Sequence, residues 1–455
     1  MFRRRREPGP PARRVLFVAF HFPPDGEIGS VRPYQFARHL GDFGFEPWIL
    51  TVRPEFAERL DPAFRVEGIP EEHVIRTVKA RTLRDVLLEW GQKVRPSELT
   101  PHSSAADADP SGSASPRHPL QKAIVANSLA LLAFPDKHIG WRRPAVVAGQ
   151  DLMSRVRFDA IVSSSPPRVT HLIARALARR HRVPWVMDFR DPWYIQPGLL
   201  AATAMLRFLH SGLFHRHASR GDAIVANTER LRASIAATLG RPARTLCIPN
   251  GFDRSSGASE VAEPEGFAIG YFGQFMGGRD VLPFLRGLRL WIDRGGTRPR
   301  DVRVRFVGSG FEEVQRRTAE LELAAHVRFE APVSRDQVPD LLAQQYVLLL
   351  VATDQPLQLP GKAYEYLTAG RRILAVTEPD GATADFLAGL PGCLVVSTPE
   401  GAAEALERFW CERQAGAAAS IDHSRRLEAG TYLQRTRELA GLLEDLIRTR
   451  EGLRG

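Results

Sequence analysis

The sequence predicts an α/β protein made of two doubly wound, Rossmann-like domains. Three observations predict it. Short, continuous apolar runs recur along the chain, as expected for parallel strands buried on both faces. Helical patterns separate these runs, and Gly- or Pro-rich loops follow several of them. The alternation pauses once, at residues 254–265, which have linker composition, and then restarts. A length of 455 residues has room for two or three domains of about 150 residues each.

Residues 1–14 read as a basic, Pro-rich, disordered tail. Val15–Phe20 is the first buried strand, followed by a loop holding Pro23, Pro24, Gly26 and Gly29. Val31–Leu40 has helical spacing, with Phe36 and Leu40 one turn apart, and Phe45–Val52 is the next strand. Residues 80–92 look helical. The stretch 96–119 is a low-complexity insertion rich in Ser, Ala, Asp and Pro, and helical pattern resumes at Leu120–Phe134. Strands follow at Asp159–Ser163, Pro184–Asp188, Asp222–Asn227 and Thr245–Ile248, with helices at Thr170–Arg180, Ala201–Ser219 and 229–239. The first domain therefore spans 15–253.

The second domain, 254–422, repeats the alternation. Its strands are Phe267–Phe272, Val302–Val307, Val327–Glu330, Tyr346–Val351, Ile373–Val376 and Leu394–Val396. Its helices are Val281–Asp293, Phe311–Glu322, Arg335–Gln344, the segment after Pro360, 382–388 and 400–413. Residues 423–455 form a charged, helical C-terminal segment.

Composition narrows the function. Apolar residues make up 44% and charged residues 25%, ordinary values for globular protein. The net charge of +10 suits a phosphorylated substrate, an anionic membrane surface or nucleic acid. Nucleic acid is the weakest of these, because no aromatic-basic stripe, zinc spacing or RNA-binding motif is present. Cys247, Cys393 and Cys411 are too few and too scattered for a disulfide framework, which fits a cytoplasmic protein. The Val15–Phe20 run is too short for a signal peptide, and nothing approaches the ~18 apolar residues of a membrane span. His21, His138, His171 and His326 have no ligand spacing and read as structural.

In open α/β sheets ligands bind beyond the carboxyl ends of the strands, so the loops after each strand carry the candidates. The most informative is Pro360-Gly361-Lys362-Ala363-Tyr364-Glu365, a helix start closed by Gly370. Its free N–H groups and Lys362 attract an anion, and Glu365 lies one turn on. A phosphate at one end and hydroxyls at the other would suit it; so would no ligand, if this is a capped surface helix with an ion pair. The other candidates are Gly273 with Arg279, Gly308-Ser309-Gly310, Val333, Asn250-Gly251-Phe252-Asp253, Gly29-Ser30 with Arg32, and Asp188-Phe189-Arg190-Asp191-Pro192-Trp193. Gly29 could simply permit a turn, 188–193 could be a salt-bridged turn, and Trp141 and Trp193 could be a sugar-stacking wall or core.

Taken in order, these motifs resemble the GT-B glycosyltransferases, specifically the retaining glycosyltransferase family 4 (group 1), over residues 15–425. The resemblance implies two Rossmann-like domains facing a cleft, the first for the acceptor and the second for a nucleotide-sugar donor. It places Gly273, Arg279, Gly361 and Lys362 on the donor diphosphate. Glu365 would hold the ribose, and Gly308, Gly310 and Val333 the base. Gly29, Ser30 and Arg32 would form an acceptor or phosphate loop, and Asp188, Arg190 and Asp191 are the catalytic candidates. Two departures stand out. Leu357 occupies the place of a family glutamate seven residues before the second, and Arg190 that of a family histidine.

The expected function is transfer of a sugar from a UDP- or GDP-sugar to a sugar or lipid-linked acceptor during cell-envelope or exopolysaccharide assembly. Fixed cations and a helix start would replace a metal, so neither a metal nor a cofactor is expected. A cytoplasmic location, peripheral at the inner membrane face, accommodates a lipid-linked acceptor. Two alternatives remain open: a non-catalytic nucleotide-sugar-binding scaffold, favoured by Leu357, and a nucleotide-sugar 2-epimerase on the same fold.

Overall fold

The computed structural model of the protein describes residues 12–94, 128, 131–193, 204–240, 244–252, 264, 266–275, 279–294, 302–334 and 337–452. Nearly all of the expected basic tail, the whole low-complexity insertion at 96–119 and most of the 254–265 linker lie outside these residues, as does Asp253. The chain divides into two compact units, Met1–Ile224 with Ala440–Gly455, and Val225–Leu439.

A seven-stranded parallel sheet begins with β1 (Arg13–Ala19), β2 (Phe45–Val52) and β3 (Val74–Thr77). It continues with β4 (Ala160–Ser165), β5 (Trp185–Phe189), β6 (Ala223–Ala226) and β7 (Thr245–Cys247). The spatial order is β3-β2-β1-β4-β5-β6-β7. Helix α1 (Val31–Leu40) connects β1 to β2. Helices α2 (Leu83–Val94) and α3 (Arg142–Arg155) precede β4, and α4 (Val169–His181) connects β4 to β5. Helices α5 (Ala204–Ala218) and α6 (Glu229–Leu239) follow β5 and β6. Val15–Phe20 is buried along its whole length, because both faces of this sheet are covered. Strand β3 and helix α3 are not visible in the periodicity. Strand β3 has four residues and carries Arg76, and α3 opens on Arg142-Arg143-Pro144 with a weakly apolar face.

The second sheet has six parallel strands: β8 (Ala268–Phe272), β9 (Arg303–Val307), β10 (Val327–Glu330), β11 (Val347–Val351), β12 (Arg372–Val376) and β13 (Cys393–Val396). Their order, β10-β9-β8-β11-β12-β13, repeats the arrangement of the first six strands of the other sheet. In each sheet the order reverses once, beside β1 and β4 and again beside β8 and β11. Such a switch point opens a crevice at the carboxyl ends of the strands.

Helices α7 (Leu282–Asp293), α8 (Glu312–Glu320), α9 (Val338–Ala343), α10 (Gly361–Thr368), α11 (Ala382–Leu387) and α12 (Pro399–Gln414) cover the second sheet. Its two faces are separate cores. Val347, Leu349 and Val351 of β11 join Phe267, Trp291, Phe409 and Trp410 on one side. Leu348 and Leu350 join Ala363, Tyr366 and Leu367 on the other. The expected C-terminal segment is two helices, α13 (Ser424–Glu428) and α14 (Tyr432–Gly452).

Helices α7 and α12 pack closely at Gly287, where a Cβ would lie 2.7 Å from the Pro399 carbonyl oxygen and meet the Ala402 methyl. Gly287→Ala should therefore destabilise the protein by about 1–3 kcal/mol through overpacking, even though alanine is the better helix former. Urea denaturation checks this, with a lower midpoint at an unchanged slope as the expected result.

Candidate functional site

The second unit brings together most of the residues singled out in its half of the sequence. Strand β8 is followed by Gly273, whose φ of 102° lies in the left-handed region that glycine favours. Gly308 follows β9 with φ 146°, and a Cβ there would collide with the Gly273 carbonyl. The Gly273 N–H donates to the Val307 carbonyl at 2.7 Å, and the Phe275 N–H to the Ser309 carbonyl at 2.8 Å. Gly310, at φ 79°, lies against the Phe275 carbonyl. The glycines therefore let two backbone loops lie in direct contact. Val333, in the loop after β10, is half-buried against the core of the α10 face.

Helix α10 carries Lys362 into this place. Tyr366, one turn along, is fully buried, and its phenol oxygen accepts the Phe272 N–H at 3.1 Å. That bond fixes α10 to the end of β8, and residue 362 lies on the same helix face as residue 366. The Lys362 side chain runs over Gly273, and its Nζ donates to the Tyr271 phenol oxygen at 2.6 Å. The ammonium also sits 3.8 Å from the Tyr271 ring centroid, a cation–π arrangement. Arg279 approaches the same phenol oxygen with one terminal nitrogen at 3.4 Å, while its Nε is buried without a partner. Among the described residues no carboxylate forms an ion pair with Lys362 or Arg279. Burial pushes the Lys362 ammonium down to about 7; Arg279 adds to the shift and Glu365 opposes it. Glu365 itself is exposed, one turn further along α10. No side chain caps the start of α10 at Pro360 and Gly361. Two cations, a helix start and a glycine backbone thus converge with only a neutral phenol between them, an arrangement that attracts an anion with several negative oxygens.

The first unit places its candidates around the switch point of its own sheet. Arg32 and Asp188, expected as a phosphate ligand and a catalytic residue, instead bind each other. Arg32 Nε and a terminal nitrogen donate to Asp188 Oδ1 at 3.0 and 2.8 Å, and both side chains are buried. Ser164 Oγ donates to Asp188 Oδ2 at 2.7 Å. Both carboxylate oxygens are thus engaged inside the fold, and Asp188 ties α1 to β5. Arg190 donates to the Ser165 carbonyl at 3.3 Å and to the Pro166 carbonyl. Its guanidinium covers Gly29, where a Cβ would collide with it. Ser30 is fully buried with no partner for its hydroxyl, and Asp191 is half-buried. Trp141 belongs to the core: it is fully buried and donates to Thr77 Oγ1 at 2.7 Å. Trp193 is buried among Phe189, His171 and Phe214.

Residues 29–251 match the family model described as "Glycosyl transferase 4-like domain". The chain has the two-domain GT-B fold, and the matched residues resemble a glycosyl transferase 4-like domain. No curated protein matches it by sequence. Its fold is shared with solved structures of low identity. HepE of Anabaena in complex with UDP superimposes with a TM-score of 0.60 at 14% identity, over 95% of this chain and 100% of that one. Trehalose 6-phosphate synthase of Burkholderia multivorans gives 0.61 at 14% identity, over 98% of each chain. Sucrose-phosphate synthase of Thermosynechococcus elongatus gives 0.59 at 12%, over 96% of this chain and 100% of that one.

Sequence reasoning missed two residues that organise the cation cluster of the second unit. Tyr271 supports both cations, and Tyr366 sets the register of the helix that carries Lys362. Both sit within apolar runs and read there as core. The available signal was an aromatic hydroxyl at a strand end and another at i+4 from the lysine.

Holding Lys362 in this place costs stability. Its folded value, about 7, is below the ~10.5 of a free lysine, so the unfolded chain binds the extra proton between those two values. The cost is full below pH 7, shrinks from 7 to about 10.5, and is absent above that. Lys362→Met should therefore raise stability at pH 6 by roughly 1–3 kcal/mol, with the difference from wild type narrowing as pH rises to 10. Thermal denaturation of both proteins across this range checks the sign and the window.

Proposed function

We propose that the protein transfers a sugar from a nucleotide sugar, with a UDP- or GDP-linked donor, to a hydroxyl-bearing acceptor. The observation that carries this reading is the Lys362–Tyr271–Arg279 cluster over Gly273: paired cations with no carboxylate partner among the described residues, at the carboxyl edge of the β8/β11 switch point. A nucleoside diphosphate is the anion that fits it. Arg279, Lys362, Gly273 and the Gly361 helix start hold the diphosphate. Glu365 accepts from the ribose hydroxyls, and Gly308, Gly310 and Val333 line the base. HepE, which shares the fold, binds UDP, and one of its structures holds UDP-glucose. The second unit is then the donor domain, and the first the acceptor domain. Asp191, Arg190 and the Gly29-Ser30 loop are its candidate acceptor contacts, with Arg32 and Asp188 as supports behind them.

Departure of a nucleoside diphosphate places negative charge on the β-phosphate. Preorganised cations stabilise that charge without reorganising as it forms. Lys362 and Arg279 supply this function, so the reaction is metal-independent in this reading, and retaining, as in the family it resembles. Cell-envelope or exopolysaccharide assembly is the proposed pathway, with a lipid-linked acceptor at the inner membrane face drawn by the basic surface. No described helix is long and apolar enough to cross a membrane.

One observation favours a non-catalytic scaffold. Leu357, which stands in place of a family glutamate, has its carbonyl bound by the Thr228 hydroxyl at 2.7 Å. The loop is therefore held by its backbone rather than by a carboxylate. Release of nucleoside diphosphate from UDP-glucose, UDP-galactose and GDP-mannose separates the two readings. Wild type should turn over at least one of them, at the same rate with or without EDTA. Lys362→Ala should lose about 2 kcal/mol or more of donor binding, at least thirtyfold, and with it turnover. Near-wild-type rates in the variant would refute the donor site, and EDTA inhibition reversed by magnesium or manganese would refute metal independence.

A further inference from the structure

Helix α5 of the first unit is apolar on its outer face as well as its inner one. Leu206, His210, Phe214 and His217 are buried, at the spacing of one helix face. On the opposite face Met205 and Phe208 are 53% and 76% exposed, and Leu209 beside them is 37% exposed. Gly212 and Arg216 continue that exposed face toward the end of the helix. A surface helix ordinarily turns polar residues outward, so an outer stripe of Met, Phe and Leu marks a place where something other than water is met.

The same face runs into a group of arginines. Arg216 is exposed, and Arg220 follows the helix, its N–H donating to the His217 carbonyl at 3.0 Å. Arg175 of α4 donates to His217 Nε2 at 3.4 Å, while His217 Nδ1 donates to the Leu213 carbonyl at 2.9 Å. Arg179 is exposed one turn beyond Arg175. Burial lowers the Arg175 guanidinium, and the charges of Arg216, Arg220 and Arg179 lower it further. Helices α4 and α5 contain no acidic residue, and among the described residues no carboxylate forms an ion pair with any of these four arginines. The arginines repel one another, and an anionic surface relieves that repulsion.

Helix α2 gives the contrast. It too exposes apolar residues, Leu83, Val86, Leu87 and Trp90. The arginines beside that stripe are already engaged, Arg81 by Glu89 and Arg84 by Asp85 at 3.8 Å. Helix α5 instead joins an apolar patch to cations that have no counter-charge. Nucleic acid would meet those cations but leave Phe208, Met205 and Leu209 in water. A lipid surface meets both, with phosphate at the arginines and acyl carbon at the apolar side chains. Phe208 and Arg216 stand about 12 Å apart along the helix axis, so both reach one bilayer face when α5 lies parallel to it.

We propose that the exposed face of α5, with Arg175 and Arg179 of α4, docks the first unit on an anionic lipid surface, Phe208 and Met205 entering the headgroup layer while the arginines hold lipid phosphates. This rests on the membrane-face part of the function proposed above, and it assigns that role to one folded surface rather than to the net charge of the chain.

The test is co-sedimentation of the full chain with phosphatidylcholine vesicles, with and without phosphatidylglycerol, at low and high salt. Wild type should bind the anionic vesicles about tenfold or more tighter than the neutral ones, and the difference should shrink at high salt. Arg216→Gln combined with Arg220→Gln should weaken binding about tenfold or more, and Phe208→Ser about tenfold. Both variants should keep the wild-type melting temperature and, without vesicles, the wild-type rate of nucleoside diphosphate release. Trp90→Ser should bind as wild type does. Wild-type binding by the α5 variants, a loss confined to Trp90→Ser, or a preference for duplex DNA over anionic vesicles would overturn the proposal. So would a loss that appears only together with a fall in melting temperature, since that marks a structural role. Vesicle binding, lost in the α5 variants, by a wild-type protein that turns over none of the three nucleotide sugars would support the docking surface and refute sugar transfer. Turnover without vesicle binding would refute the docking surface alone.

Discussion

The second unit depends on one interaction, the placement of the Lys362 ammonium on Tyr271. It is an electrostatically unfavourable arrangement. The charge is desolvated enough to fall to about 7, a second cation sits on the same phenol, and among the described residues no carboxylate forms an ion pair with either. The surrounding structure is what makes it possible. Tyr366 fixes the helix, Gly273 leaves room beneath the lysine stem, and the Gly308 and Gly310 loop packs against Gly273. A Cβ at Gly273 would meet the lysine stem, one at Gly308 the Gly273 backbone, and one at Gly310 the Phe275 carbonyl. An arrangement that costs stability, and that its neighbours hold in place, suits a preorganised anion site.

The fold was largely legible in the sequence because parallel strands covered on both faces are written as continuous apolar runs. Val347–Val351 is such a run, and its alternate residues feed two different cores. What escaped were elements whose stability comes from their neighbours. Strand β3 exists because it pairs with β2, and α3 exists because it packs on α4 and the sheet; neither has a strong pattern of its own. The same division holds for the site. Gly273, Lys362, Gly308 and Gly310 could be named from turn and helix-start chemistry. Tyr271 could not, because the two cations that meet its hydroxyl stand 8 and 91 positions away.

In the first unit, local sequence was a poorer guide. Arg32 and Asp188 are 156 residues apart and looked like two separate functional groups, yet they form one buried pair. A charge that must be buried needs its partner, and only the fold shows that the partner is present. His21, read from the sequence as structural, has its Nδ1 2.7 Å from Asp25 Oδ2, four residues away across Pro23 and Pro24. Both outcomes turn on whether the polar atoms of a side chain already have partners, a property that composition does not record.

The most direct measurement of the central claim is the melting temperature of the wild-type protein against a panel of nucleotides, nucleoside diphosphates and nucleosides. A ligand held by Lys362 and Arg279 through its diphosphate, present at 100 times its Kd, should add about 2.7 kcal/mol of stability and raise the melting temperature by a few degrees. UDP or GDP should do this, and uridine or guanosine should not. Equal stabilisation by nucleoside and diphosphate, or none by either, would contradict the account.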